Sequence, residues 1–321
     1  MRAIVHDRYG SPDDLQVRDI GKPVVTDDGV LVRVHAAGLH VGDCFGVRGV
    51  PLLMRVVTGP LKPKYGVPGF DVAGRVEAVG TKVTRFRPGD EVFGTCHGAC
   101  AEYACAREDQ LALKPVNLTF DQAAAVPTSA LAALHAVRDA GKVKPGQKVL
   151  INGASGGVGT FAVQIAKSFG AEVTGVCGTT NADVVRSIGA DHVIDYTRED
   201  FTQTGQHYDL ILDNVENHSL ADCRRALTPS GTLVLNSGTG ARGLRMLVRL
   251  VKPLVVSPFA RQKLRRYLSR PNHRDLLVLK DLVESAKVTP VIDRTYPLHE
   301  TPAALRHIEA GHARGKVVIT L

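Results

Sequence analysis

Between two apolar runs, Val149-Leu150-Ile151 and Val173 to Cys177, the chain reads Ala154-Ser155-Gly156-Gly157-Val158-Gly159. Glycines clustered there let the backbone come close to a bulky anion, because no Cβ stands in the way. If a helix starts at the cluster, its unsatisfied amides and positive end favour a phosphate. The chemistry implied is recognition of the pyrophosphate of a dinucleotide. Ala154 stands where the usual G-x-G-x-x-G run has its first glycine. About 20 residues past the glycines an NAD-specific site carries Asp or Glu on the ribose hydroxyls; here the chain reads Gly178-Thr179-Thr180-Asn181. That segment has hydroxyls to donate and no carboxylate to repel a 2′-phosphate, so NADPH is favoured. It also lacks the Lys or Arg that would make a charge-assisted contact, so the expected preference is modest.

The elements that must position this turn are legible around it. Val158, Phe161, Ala162, Ile165, Ala166 and Phe169 recur three and four apart, which places them on one face of a helix. With the flanking runs this makes a strand, turn, helix, strand unit. From about Phe120 strands are expected near 148–152, 172–177, 192–195, 209–213 and 231–236, alternating with helices, a pattern that builds a doubly wound parallel sheet. Before it, Val30 to Val34 and Val72 to Val83 read as strands separated by Gly/Pro punctuation, an all-β pattern. A helix over Asp275–Ser285 and a strand segment over Val288–Tyr296 follow, and the last strand, in "GHARGKVVITL", is expected to rejoin the β domain.

At 321 residues, 44% hydrophobic and 22% charged, the chain has material for two globular domains. It contains no Trp and only 5% aromatics, which argues against stacking of single-stranded nucleic acid bases. No run approaches 18 apolar residues and the first residues carry no apolar signal core, so a cytoplasmic protein is expected. Six scattered cysteines do not form a disulfide framework. Cys96, Cys100 and Cys105 come nearest to metal-ligand spacing, but glycines and alternating residues in "FGTCHGACAEYAC" suggest successive strands instead. The net charge of +8 is concentrated in Arg242, Arg245, Arg249, Lys252, Arg261, Lys263, Arg265, Arg266, Arg270 and Arg274, with no acid among them. This basic 242–274 segment reads first as a solvated face, and alternatively as a contact for an anionic membrane or nucleic acid.

The motifs "VPGFDVAGRVEAVGTKVTRFRPGDEVFG", "AAAVPTSALAALHAV", the A-x-G-G-x-G turn, "GADHVIDY", "DLILDNV" and "GHARGKVVI" occur in order over nearly the whole chain. Together they resemble the medium-chain dehydrogenase/reductases, most of all the zinc-free quinone oxidoreductase branch. The resemblance implies an α/β protein: a GroES-like catalytic domain from 1–121 and 271–321, with a Rossmann NADP(H)-binding domain, 122–270, inserted. It implies cofactor contacts from Ser155, Gly156, Gly157 and Val158 at the pyrophosphate, Thr179 and Tyr196 near the adenosine phosphate, Asn214 beyond the fourth strand, and Ala313 and Arg314 toward the nicotinamide. It also implies a homodimer.

Zinc-dependent members of that family have a ligand His where this chain has Phe70, and a ligand Cys where it has His40. The third ligand would fall in "VPTSALAAL", which has none. A catalytic zinc needs three protein ligands and an open position, so no metal is expected. Without a Lewis acid to acidify an alcohol, the expected substrates are electrophiles that accept hydride directly: quinones and α,β-unsaturated carbonyls. His40, Asp43, Tyr65 and Thr128 stand near the family's active-site motifs and are the candidates to line that site. The alternatives are an alcohol or ketone dehydrogenase of the same superfamily, and an NADPH-binding protein that docks through its basic run.

Overall fold

The computed structural model describes residues 1–52, 55–236, 261–311 and 313–321. In chain order the strands are β1 (Arg2–Val5), β2 (Gln16–Asp19), β3 (Gly29–Leu39), β4 (Asp71–Val79), β5 (Glu91–Thr95), β6 (Tyr103–Arg107) and β7 (Leu111–Leu113). Next come β8 (Lys148–Asn152), β9 (Glu172–Cys177), β10 (His192–Asp195), β11 (Tyr208–Asp213), β12 (Leu227–Leu235) and β13 (Lys263–Arg266), and then β14 (Ile292–Pro297) and β15 (Lys316–Thr320). They belong to two compact units.

The first unit comprises Met1–Leu131, Arg270–Ala286 and Pro290–Leu321. Its main sheet has the order β14-β15-β3-β4-β5-β7, with β6 also on β3, while β1 and β2 pair separately. β15 lies antiparallel to β3, with Val318 opposite Gly38, so the last strand does rejoin the β domain. Alternate β-branched residues, among them Val30, Val32, Val34, Val72, Val92, Val317 and Ile319, fill the core. β3 runs past the expected Val34 because the small residues beyond it are packed rather than looped. A Cβ on Gly38 would stand 2.1 Å from the Ala124 carbonyl oxygen. β4 stops at Val79, short of the expected Val83, where the Gly80 amide turns back to donate to the Gly29 carbonyl. This unit runs to Leu131, and its short helix Phe120–Ala124 packs on β3 and β4.

The second unit comprises Ala132–Ser269 and Lys287–Thr289. Its sheet, β10-β9-β8-β11-β12-β13, is parallel at every pairing. That order is the doubly wound one, with the strand order reversing beside β8. Along the Gly157–Ser168 helix, Phe161, Ala162, Ile165 and Ala166 are fully buried, as their spacing requires, while Val158 and Phe169 are half-buried at its ends. β13 lies inside the basic run and was not expected as a strand: in it Leu264 is buried while Lys263 and Arg265 are exposed. Arg266 is no surface charge, since its guanidinium grips Glu216 with two bonds of 3.0 and 2.8 Å. Arg242, Arg245, Arg249 and Lys252 lie outside the described residues. Among the described residues no helix is long and apolar enough to cross a membrane.

Candidate active site

The glycine turn is built by the second unit as its spacing demands. β8 ends at Asn152, and Gly153 takes φ +78°, a conformation open to glycine. The amides of Gly153 and Ala154 both donate to the Val176 carbonyl, which fixes the turn against β9. Gly156 is the N-cap of the Gly157–Ser168 helix, and no side chain caps that end. Its first amides are therefore available to an anion. The glycines do different work. A Cβ at Gly156 would meet only the Gly153 oxygen, at 3.5 Å, whereas one at Gly159 would stand 2.0 Å from that oxygen. Gly156 keeps the approach to the helix end open, and Gly159 lets helix and strand pack closely. Ser155 accepts a hydrogen bond from the Asn181 side chain, 3.2 Å. The turn thus fits a dinucleotide pyrophosphate.

At the far end of β9 the structure supplies what Gly178–Asn181 lacks. β10 pairs with β9 so that Asp195 lies opposite Cys177. The Thr179 hydroxyl donates to Asp195 Oδ2 at 2.5 Å, and Thr197 donates to Oδ1 from its hydroxyl, 2.7 Å, and its amide, 3.0 Å. Gly178–Asn181 itself carries no carboxylate, as expected, but an acid reaches this corner from the neighbouring strand. Its signal in the sequence was the strand-end register, not distance from the glycines. Tyr196 is 62% exposed, so it is not a core tyrosine. Its ring lies along Gly178, where a Cβ would come 3.3 Å from its hydroxyl. Asn214 follows β11 with its amide committed, donating to the Asn152 carbonyl at 3.0 Å and accepting from Asn236 at 2.9 Å. It therefore holds strand ends together. Ala313 packs on the core of the first unit and Arg314 is exposed on that unit.

The first unit contains an open pocket lined by His6, Asp43, Thr58, Tyr65, Phe70 and His97 among others. The Tyr65 ring stacks on His97 at 3.8 Å, and Phe70 meets His97 edge-on at 5.3 Å. His97 and His6 were not singled out in the sequence, and no spacing marked them. Burial lowers the pKa of both, with Lys64 adding to the effect at His97. Both imidazoles are therefore neutral at pH 7.

His40 and Asp43 form a capping box on the Val41–Arg48 helix. His40 Nδ1 accepts from the Gly42 amide at 2.9 Å, and Asp43 Oδ2 accepts from the His40 amide at 2.8 Å. With Nδ1 accepting, the neutral ring carries its proton on Nε2, which is buried with no partner among the described residues. Asp43 is fully buried, and desolvation raises its pKa against the lowering effect of His40; its Oδ1 also lacks a partner among the described residues.

The donors of Thr128 are engaged within the protein. Its amide and hydroxyl both donate to Asp71 Oδ1, at 2.9 and 2.5 Å. Asp71 Oδ2 receives Lys316 Nζ at 3.2 Å, and Lys316 also reaches Ser129 Oγ at 3.1 Å. Asp71 and Lys316 are 0% and 1% exposed. The signal for this pair in the sequence is Lys316 at the head of the largely apolar strand "KVVITL".

The residues do not fit a catalytic zinc. At the place of one family ligand, Phe70 stacks on His40 at 5.7 Å and offers only carbon. His40 Nδ1 is already engaged, and Thr128 and Ser129 of "VPTSALAAL" are bonded to the Asp71–Lys316 pair. Cys96 and Cys100 lie in the connection after β5 and Cys105 on β6, rather than all on strands. Among the described residues no three His, Cys, Asp or Glu side chains gather as a metal site.

The comparisons with known proteins agree with this architecture. Residues 26–132 match the alcohol dehydrogenase GroES-like domain, and residues 188–319 match a family described as zinc-binding dehydrogenase. The mouse mitochondrial NAD(P)H oxidoreductase RTN4IP1 is 32% identical over 100% of this chain and 89% of its own length. The tomato 2-methylene-furan-3-one reductase is 33% identical over 99% and 79%. The structure of the quinone oxidoreductase from Coxiella burnetii is similar with a TM-score of 0.87 at 30% identity, over 100% and 99%. The chain therefore belongs to the medium-chain dehydrogenase/reductases, as an NAD(P)H-dependent oxidoreductase with a GroES-like domain and a Rossmann domain. Within that family its similarity falls in the quinone oxidoreductase branch.

Proposed function

We propose that the protein reduces quinones and α,β-unsaturated carbonyl compounds with NADPH and without a metal. The observation that carries this reading is Phe70 stacked on His40 where a metal-dependent relative needs ligands. An alcohol needs a Lewis acid to lose its proton near neutral pH, whereas a conjugated carbonyl is already electrophilic. The relatives support the substrate class, since a quinone and a 2-methylene ketone are both electron-poor conjugated carbonyls.

When bound, the nicotinamide supplies a hydride. The chain's own residues do the rest. The uncapped helix end at Gly156–Val158 holds the pyrophosphate. The stacked pair Tyr65–His97, with Phe70 edge-on, offers flat walls to a planar conjugated ring. The neutral imidazoles of His97 and His6 and the Tyr65 hydroxyl are donors for negative charge that develops on the carbonyl oxygen. The proton that completes the reduction comes from water or from the hydroxyl of Tyr65, a residue 41% exposed. All six cysteines are free, which supports a reducing compartment and, in this reading, the cytosol. Family resemblance supports a homodimer.

Isotope labelling tests the reaction. With an enone, NADPH deuterated at the transferred position is expected to place deuterium on the β carbon, and D2O on the α carbon. Cofactor deuterium at the carbonyl carbon would mean carbonyl reduction and would overturn the conjugate-addition reading. Activity is expected to survive extensive chelation, with far less than one zinc per chain by elemental analysis. Stoichiometric zinc, with activity lost on its removal, would restore the alcohol dehydrogenase reading.

A further inference from the structure

The ribose corner of the second unit is unusual in what it spends and what it leaves. A 2′-phosphate brings nearly two negative charges and is normally met by a cation or by free donors. Here Gly178–Asn181 contains no cation. The Thr179 hydroxyl, the donor that reading the sequence assigns to the phosphate, already gives its proton to Asp195 at 2.5 Å, and the Thr197 hydroxyl gives its own to the same carboxylate. These bonds hold the Asp195 carboxyl below the usual carboxylate range, so it is ionised at neutral pH. Among the described residues the cation beside it is Arg198, whose Nε lies 3.6 Å from Oδ2 on a side chain 76% exposed. A carboxylate at this corner accepts from sugar hydroxyls and repels a phosphate, while Arg198 does the reverse.

We infer that Asp195, held in place by Thr179 and opposed by Arg198, sets the coenzyme preference, keeping NADPH and NADH within about tenfold of each other. The role is the one played in NAD-specific sites by an acid at the end of the second strand, here taken by the end of the adjacent β10. The inference rests on the glycine turn being the nucleotide cradle.

The test is titration of NADPH and of NADH into the protein by nicotinamide fluorescence, with thermal unfolding in parallel. Asp195→Asn keeps one acceptor oxygen, for Thr197, turns an amide donor toward the Thr179 hydroxyl oxygen, and removes the charge. It is expected to tighten NADPH and weaken NADH, moving the ratio of their Kd values toward NADPH by about tenfold. Arg198→Glu alters a side chain that is 76% exposed, and is expected to move the ratio toward NADH by a similar factor. A purely structural role for Asp195 would weaken both nucleotides together and lower the unfolding temperature. If both nucleotides bind the native protein and neither variant moves the ratio by more than twofold, the inference is overturned while the cradle stands. If the native protein binds neither nucleotide, the cradle reading falls and the inference with it. If Asp195→Asn does not fold, Arg198→Glu decides alone.

Discussion

Asp43 shows how one carboxyl can serve the backbone and burden the fold at once. Its Oδ2 satisfies the His40 amide at the start of a helix, a contact worth about 0.5–2 kcal/mol in typical caps. Its Oδ1 is buried with no partner among the described residues, and burial pushes its pKa up. The sign follows from linkage: a carboxyl whose folded pKa lies above its unfolded value holds its proton longer in the folded state. Its contribution is most favourable below the unfolded value and is lost as pH rises through the folded one. Asp43→Asn keeps the cap acceptor and removes the charge, so it is expected to raise the unfolding temperature at pH 7.5 relative to wild type, with the gain shrinking toward pH 4. Thermal melts across that range check it, and a variant less stable at every pH would show that the ionised form is wanted for another reason. The neutral His97 and His6 act in the opposite direction. With folded pKa values below 6.5, they leave stability intact above 6.5 and withdraw it as pH falls below.

The strand-to-helix turn is the element on which nucleotide binding depends, and its glycines separate by what surrounds them. Gly156→Ala places a methyl in open space on the approach to the uncapped helix end. Its φ of −81° suits any residue. The expected result is an unchanged unfolding temperature with NADPH bound about tenfold more weakly or worse. Gly159→Ala places its methyl 2.0 Å from a backbone oxygen, which must move. Its expected cost is folding stability, about 1–3 kcal/mol or more, before binding is considered. Denaturant unfolding and NADPH titration on the same two proteins check the contrast.

This element was legible because its signals are local: a short apolar run, glycines, and a 3.6-residue period lie within 29 consecutive residues, Val149–Cys177. What escaped the sequence depends on register between distant segments. Asp195 reaches Thr179 only because β10 pairs with β9, and the Thr128 hydroxyl donates to Asp71 across a separation of 57 residues. The β13 strand escaped for a different reason. As the outermost of the described strands in its sheet it keeps one apolar residue inward among basic ones, which is how sheet edges resist pairing and which hides the strand period.

At the scale of the whole chain, the first unit is made from both ends of the sequence, and the buried pair Asp71–Lys316 joins them, spanning 245 residues. A buried ion pair is not by itself a source of stability, since desolvation can exceed attraction, and well-packed apolar substitutes can be neutral or better. Here the comparison is decided by the neighbours. Asp71 also accepts from the Thr128 amide and hydroxyl, and Lys316 donates to Ser129. Removing Lys316 leaves a buried carboxylate with two donors but no countercharge, and removing Asp71 strands a buried ammonium, so each single change, Lys316→Met or Asp71→Leu, is expected to cost about 3–5 kcal/mol. The double variant removes both charges yet leaves the Thr128 donors without their acceptor, at about 1–3 kcal/mol for such buried groups. It should therefore be more stable than either single variant and less stable than wild type, with a coupling energy of opposite sign to the single costs. Because the chain has two units, a single global transition is not assured. Hydrogen exchange at β3, β4 and β15 reads the affected unit directly. A double variant as stable as wild type would mean that the Thr128 donors find other partners and that the pair was replaceable by packing alone. Costs that simply add would mean that the two charges do not act on each other.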